Sequence, residues 1–75
     1  MTLSDLRIQH ALTQEEVAKS TGIAYNTYRR YEYGQAFPSA KAICALAKLY
    51  GMSPGDLFEQ LCADKGLLPN QPNML

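Results

Sequence analysis

The stretch from Thr13-Gln14-Glu15-Glu16 to Gly22-Ile23-Ala24 constrains the fold more than any other part of the chain. A threonine followed three residues later by a glutamate is a capping box. The Thr13 hydroxyl accepts from the Glu16 amide while the Glu16 carboxylate accepts from the Thr13 amide, which starts a helix. Gly22 stops it, because a residue without Cβ takes up the left-handed conformation that commonly closes a helix. The next helical pattern opens at Ala24, so only three or so residues lie in the turn. Two short helices joined that tightly through a glycine cannot lie antiparallel and must cross at a steep angle.

The rest of the chain is punctuated in the same way, and no segment keeps a period of two for long. A first helix is expected from Thr2 to His10 with Leu3, Leu6 and Arg7 on one side; the second carries Val17 and Ala18 inward. The third runs from Ala24 to Tyr33 and closes at Gly34. After the loop Gln35-Ala36-Phe37-Pro38, Ser39 caps a fourth helix to Tyr50 whose buried stripe is Ile43, Leu46, Ala47 and Tyr50. Ser53-Pro54-Gly55-Asp56 opens a fifth, with a serine cap, proline in the first turn and an acid at the positive end of the dipole. Leu57, Phe58 and Leu61 are expected to face inward. The fold class is therefore all-α with five helices. At 75 residues there is room for one such domain, placed at 1–62. Residues 63–75 hold two prolines and two asparagines without periodicity, and are expected to form a flexible tail or part of a dimer contact.

Composition removes several function classes. No run of about 18 apolar residues is present for a membrane span, and Met1-Thr2-Leu3-Ser4-Asp5 lacks the basic stretch and apolar core of a signal peptide, so a cytoplasmic location is expected. Cys44 and Cys62 stand in apolar contexts and are expected to be small core hydrophobes in place of a disulfide. His10 is the single histidine, without a spaced carboxylate or nucleophile for a catalytic dyad, and is expected at the surface of a helix end. His10, Cys44 and Cys62 also lack the close-pair spacing of zinc ligands. Neither GxxxxGK[ST] nor GxGxxG occurs. No catalytic residue, metal, cofactor or small-molecule ligand is expected, and the chain is not read as an enzyme. Net charge is zero, but residues 1–50 carry six basic and four acidic side chains while 51–75 carry one basic and three acidic. The amino-terminal two-thirds, at +2, is the only home for a polyanion.

Within that part the third helix has two chemistries. At about 100° per residue, Tyr25, Arg29, Tyr33, Asn26 and Arg30 fall within roughly 140° on one side, with Thr27, Tyr31, Tyr28 and Glu32 opposite. The first set offers two guanidinium forks, a carboxamide and two phenols, and no acid. Arginine can donate twice to guanine O6/N7 and asparagine can pair bidentately with adenine N6/N7.

The ordered pattern Leu3-x-x-Leu6-Arg7, Leu12-Thr13-Gln14-Glu15-Glu16-Val17-Ala18, Gly22-Ile23, Tyr31-Glu32-x-Gly34, Pro38-Ser39, Leu46-Ala47 and Gly51-Met52-Ser53 resembles the helix-turn-helix domain of the Xre/Cro/C1 family of phage and bacterial repressors. The resemblance covers residues 2–61 and implies a compact lambda-repressor-like fold in which helices two and three form the helix-turn-helix. It implies a transcriptional regulator, repressor-like, that binds double-stranded DNA as a homodimer on a pseudo-palindrome with helix 24–33 in the major groove. Tyr25, Asn26 and Arg30 fall where the family reads bases, and Arg29 is the next candidate, for base or backbone. Gln14 matches a phosphate-gripping residue that also buttresses the recognition helix. Thr27, Tyr33 and the backbone from Gly34 onward lie where the family meets sugar-phosphate. Arg7 and Glu32 look like the family's internal ion pair, with Arg7 also a candidate for a phosphate. The fifth helix with Leu67 and Leu68 is the candidate dimer surface.

The chain departs from the pattern at named places. Ala11 stands where a glycine commonly ends the first helix, and Ala24 where Ser or Thr commonly caps the recognition helix. Tyr25 replaces a more usual Gln, Arg or Ser, and Tyr28 and Tyr50 replace smaller aliphatics at buried positions. Zero net charge and the exposed Tyr25 and Tyr33 support a rival reading, the same fold used as a protein-interaction module such as an antitoxin or anti-repressor.

Overall fold

Local capping chemistry sets most helix starts in the computed structural model, which describes residues 2–64 and Gly66. The helices are α1 (Leu3–Gln9), α2 (Gln14–Thr21), α3 (Tyr25–Glu32), α4 (Ala40–Tyr50) and α5 (Pro54–Asp64), with no strand among the described residues. The capping box of α2 is formed in both directions, Thr13 N–H donating to Glu16 Oε1 at 2.8 Å and Glu16 N–H to Thr13 Oγ1 at 3.0 Å. A second box opens α1, where Thr2 and Asp5 exchange bonds of 3.0 Å. Ser39 and Ser53 each accept from the amide three residues on, at 3.1 Å. Ala24, at the cap of α3, has no side chain to accept, and none does.

Helix ends follow an equally local rule. Gly34 at φ 74° and Gly51 at φ 70° occupy the left-handed position of Schellman endings. The Gln35 amide then reaches Arg30 O, and the Met52 amide reaches Ala47 O, each at 2.9 Å. The end of α1 has the same bond pattern, Ala11 N–H to Ile8 O and Leu12 N–H to Arg7 O, but the left-handed residue there is Ala11 at φ 56°. A Cβ in that conformation costs about 1–2 kcal/mol, and part of this returns through the smaller entropy of alanine in the unfolded chain. Ala11 is exposed, so its methyl group has no packing to lose. Ala11→Gly is expected to stabilise the fold by about 0.5–1 kcal/mol, measured as a rise in the urea midpoint at unchanged slope.

The core lies where the five apolar stripes converge, with Val17, Tyr28, Leu46 and Leu57 enclosed and Leu3, Leu6, Ala18, Ile43, Ala47, Tyr50 and Leu61 around them. α4 is the strut of the domain, packing on both α2 and α5, while α3 packs on α2 and α1. This leaves the other side of α3 without a helix packed on it among the described residues.

Two expectations are corrected. Phe58 is 46% exposed, since α5 buries the stripe Leu57, Leu61 and Cys62 and residue 58 lies about 100° round the helix from 57. Its ring stands in a T-shaped arrangement with that of Phe37, 5.8 Å between centroids. Cys44 is exposed for the same reason, one step beyond Ile43 on α4, whereas Cys62 is buried. The fifth helix runs through Ala63 to Asp64. Leu67 and Leu68 lie outside the described residues. Among those described, no helix is long and apolar enough to cross a membrane.

Candidate nucleic-acid interface

The turn-closing end of α3 is tied down through one carboxylate. The Glu32 side chain is 3% exposed and accepts four hydrogen bonds. Arg7 Nε donates to Oε2 at 2.6 Å and Arg7 Nη2 to Oε1 at 3.4 Å; the Tyr28 hydroxyl reaches Oε2 at 2.6 Å and Gln14 Nε2 reaches Oε1 at 2.9 Å. The third nitrogen of Arg7 donates to Leu12 O at 3.0 Å. One acid therefore links α1, the α1–α2 turn, the first residue of α2 and the last turn of α3. Arg7 and Glu32 form an ion pair between α1 and α3, and all three Arg7 nitrogens are directed at protein acceptors.

Electrostatics follow from this geometry. Burial pushes the Glu32 carboxyl upward, but the donors Arg7, Tyr28 and Gln14 together outweigh it and hold the group below the usual carboxylate range. The same contact raises Arg7. Burial first, and donation to Glu32 second, push Tyr28 far up, so its hydroxyl stays a donor.

Gln14 divides its amide between this hub and the surface, with Nε2 also 3.4 Å from the Tyr33 hydroxyl. That donation, and next the neighbouring Arg29, lower the Tyr33 phenol. The Arg29 guanidinium carbon lies 5.5 Å from the Tyr25 ring centroid and 5.6 Å from that of Tyr33, between residues one turn before and one turn after it. Tyr25 is 40% and Tyr33 56% exposed. Asn26 and Arg30 are exposed, and neither side chain bonds to another described residue. Thr27 is half-buried toward the other side of the helix, and Gly34 sits exposed at the turn that follows.

The structure thus brings Asn26, Arg29, Arg30 and Tyr33 together on one surface around a shallow depression of about 330 Å³, with Gln35 as its fifth lining residue. Sequence reasoning passed over Gln35 as loop. The signal was Gly34, whose left-handed backbone turns the chain back beside Arg30, so the next side chain joins the helix face. No acid lines this surface. An α-helix of eight residues is about 12 Å long, and a major groove about 12 Å wide admits it. His10 lies elsewhere, its ring 4.9 Å from that of Tyr50 and its Nδ1 2.9 Å from Leu6 O.

Comparison with known proteins agrees with this geometry. A helix-turn-helix family model matches residues 3–57. The chain is similar to the cryptic phage CTXphi transcriptional repressor RstR of Vibrio cholerae, 42% identical over 55 residues, which is 73% of this chain and 50% of that protein. It is also similar to an uncharacterized HTH-type transcriptional regulator of Methanocaldococcus jannaschii, 38% identical over 52 residues, 69% of this chain and 79% of that one. The chain thus spans about half the length of the repressor and most of the second relative. No solved structure matches it.

Proposed function

The chain belongs to the helix-turn-helix family, of the Xre/Cro/C1 type, and from that premise we propose that it is a sequence-specific, double-stranded-DNA-binding transcriptional regulator of the repressor kind. The observation that carries this reading is the outer face of α3. Asn26 and Arg30 are exposed there beside half-buried Arg29, with no acid, on a helix locked to α1 and α2 through Glu32. Asn26 and Arg30 read base edges, and Tyr25 and Arg29 flank them on the same face of the helix. Gln14, Thr27, Tyr33 and the backbone at Gly34 meet sugar-phosphate, and Arg7 supports them by holding Glu32, a phosphate contact being secondary to that task. Gln14 then serves twice, buttressing α3 while facing the backbone of the duplex.

One module reads only a few base pairs, so the functional unit is a homodimer on a pseudo-palindrome with half-sites about one helical turn, roughly 34–36 Å, apart. The test is selection from a random duplex pool at near-physiological salt, with sequencing of the bound fraction. Enrichment of an inverted repeat with half-site centres about 10 bp apart is the expected result, with log affinity falling steeply against log salt. An unenriched pool, or salt-independent binding, rejects the proposal in favour of a protein-interaction module centred on Tyr25 and Tyr33. Gln14→Ala is expected to weaken all sequences about equally, as a phosphate contact does. A titration of selected and scrambled duplexes checks this, and unequal losses would assign Gln14 to bases.

A further inference from the structure

Tyr25, Arg29 and Tyr33 recur at intervals of four residues and form one ladder along α3. The Arg29 guanidinium carbon lies between the two rings, 5.5 Å from one centroid and 5.6 Å from the other. Its Nε is shielded from solvent and meets no hydrogen-bond acceptor, and no carboxylate among the described residues pairs with it. An arginine on an exposed helix ordinarily samples many rotamers, and freezing them on binding has an entropic cost. Here two cation–π contacts favour one placement of the side chain before any ligand is bound. The lower ring is itself fixed, because the Tyr33 hydroxyl lies on Gln14, which is bonded to buried Glu32. Arg29 is half-buried where Asn26 and Arg30 are exposed, and its Nε is withdrawn from solvent, so a ligand would meet its Nη groups first.

We propose that Tyr25 and Tyr33 are positioning residues that hold Arg29 edge-outward as a pre-ordered contact to a phosphate of the DNA backbone. This rests on the DNA-binding reading above. An edge with two parallel donors matches two phosphate oxygens bidentately. A ring on either side competes with a base for the guanidinium. Arg29 thereby sets how firmly α3 is seated, and Asn26 and Arg30 are left to discriminate sequence.

The first measurement needs no DNA. In nuclear magnetic resonance spectra of the free full chain, the Arg29 δ-methylene and Nε–H signals are expected upfield of those of other arginines, shifted by the two rings. The Tyr25→Phe variant keeps the shift; Tyr25→Ala with Tyr33→Ala abolishes it. The second is a double-mutant cycle on a selected duplex across a salt series. Tyr25→Ala is expected to weaken binding roughly two- to fivefold, the worth of an exposed cation–π contact, equally for all sequences and with the salt slope kept. Tyr25→Phe keeps the ring and with it the coupling to Arg29. Arg29→Ala lowers the salt slope by about one, and in its background Tyr25→Ala has no further effect. Unshifted Arg29 signals, equal Tyr25→Ala losses with and without Arg29, or a changed base preference in Tyr25→Ala would each overturn the proposal. A wild-type chain that binds no duplex removes the DNA-binding reading as well, and is told apart from failure of the ladder alone, in which the wild type binds and the cycle is additive.

Discussion

Arg7→Ala is expected to destabilise the fold by about 3–5 kcal/mol, the range for removing one partner of a buried ion pair. The cost arises mainly from what is left behind. Glu32, with its side chain 3% exposed, would keep its charge and retain only the Tyr28 hydroxyl and the Gln14 amide as donors. A chain of 75 residues has a total stability of roughly 4–11 kcal/mol, so the variant stands near its unfolding threshold. Circular dichroism during urea titration measures the change. A loss below about 1 kcal/mol, the range of exposed pairs, would show that solvent reaches the hub. Glu32→Gln is expected to be milder than Arg7→Ala, because the charge it leaves unpaired is that of Arg7, which is less buried than Glu32 and still donates to Leu12 O.

The sign of the acid response separates these variants further. In the wild type the Glu32 carboxyl is held below its unfolded value, so the stability it contributes is complete above the ordinary carboxylate range. That stability is lost as pH falls through the folded value. In Arg7→Ala the largest of the lowering donors is gone and burial then dominates. Protonation of Glu32 would relieve the variant, so the stability difference between wild type and Arg7→Ala is expected to shrink on acidification. Parallel pH profiles of the two proteins would refute the account.

How much of this was legible in the sequence depends on the range of each interaction. The helix starts at Thr13, Ser39 and Ser53 and the ends at Gly22, Gly34 and Gly51 are set by bonds spanning a few residues, and they stand where the reading placed them. The stripes of α2 and α4 were equally plain, because a 3.6-residue period declares its buried face. Phe58 and Cys44 were misread because a hydrophobic residue one step off a stripe lies on whichever side its neighbour helix leaves open. Ala11 was recognised as a departure, but its strain depends on the turn that the chain makes there. At the interface, composition exposed the two-sided chemistry of α3. The convergence of Arg7, Gln14 and Tyr28 on one carboxylate brings together three separate helices and was only partly visible. The Tyr25–Arg29–Tyr33 ladder was present in the spacing all along. What the spacing could not say is whether Arg29 would lie between the rings or extend away from them.

The double variant Asn26→Ala with Arg30→Ala is expected to lose nearly all sequence preference while keeping the fold. Both side chains are exposed and bond to no other described residue, so their removal exposes nothing and leaves nothing unpaired. Alanine is the best helix former, and surface changes of this kind alter stability by no more than about 0.5 kcal/mol. Each bidentate contact to a base is worth about 1–3 kcal/mol of discrimination, or roughly 5- to 150-fold in affinity for the preferred pair. Residues one turn apart on the same face couple, so the two losses need not add. The measurement is affinity for the selected site against a scrambled duplex, at fixed salt, for each single variant and the double. Site affinity should fall toward the scrambled value, which itself moves less, since phosphate contacts supply most of non-specific binding. Selection repeated with each single variant should relax different base pairs. Unchanged best-site binding by Arg30→Ala would move the reading face elsewhere on the domain, and equal losses on both duplexes would make Arg30 a phosphate contact in place of a reader.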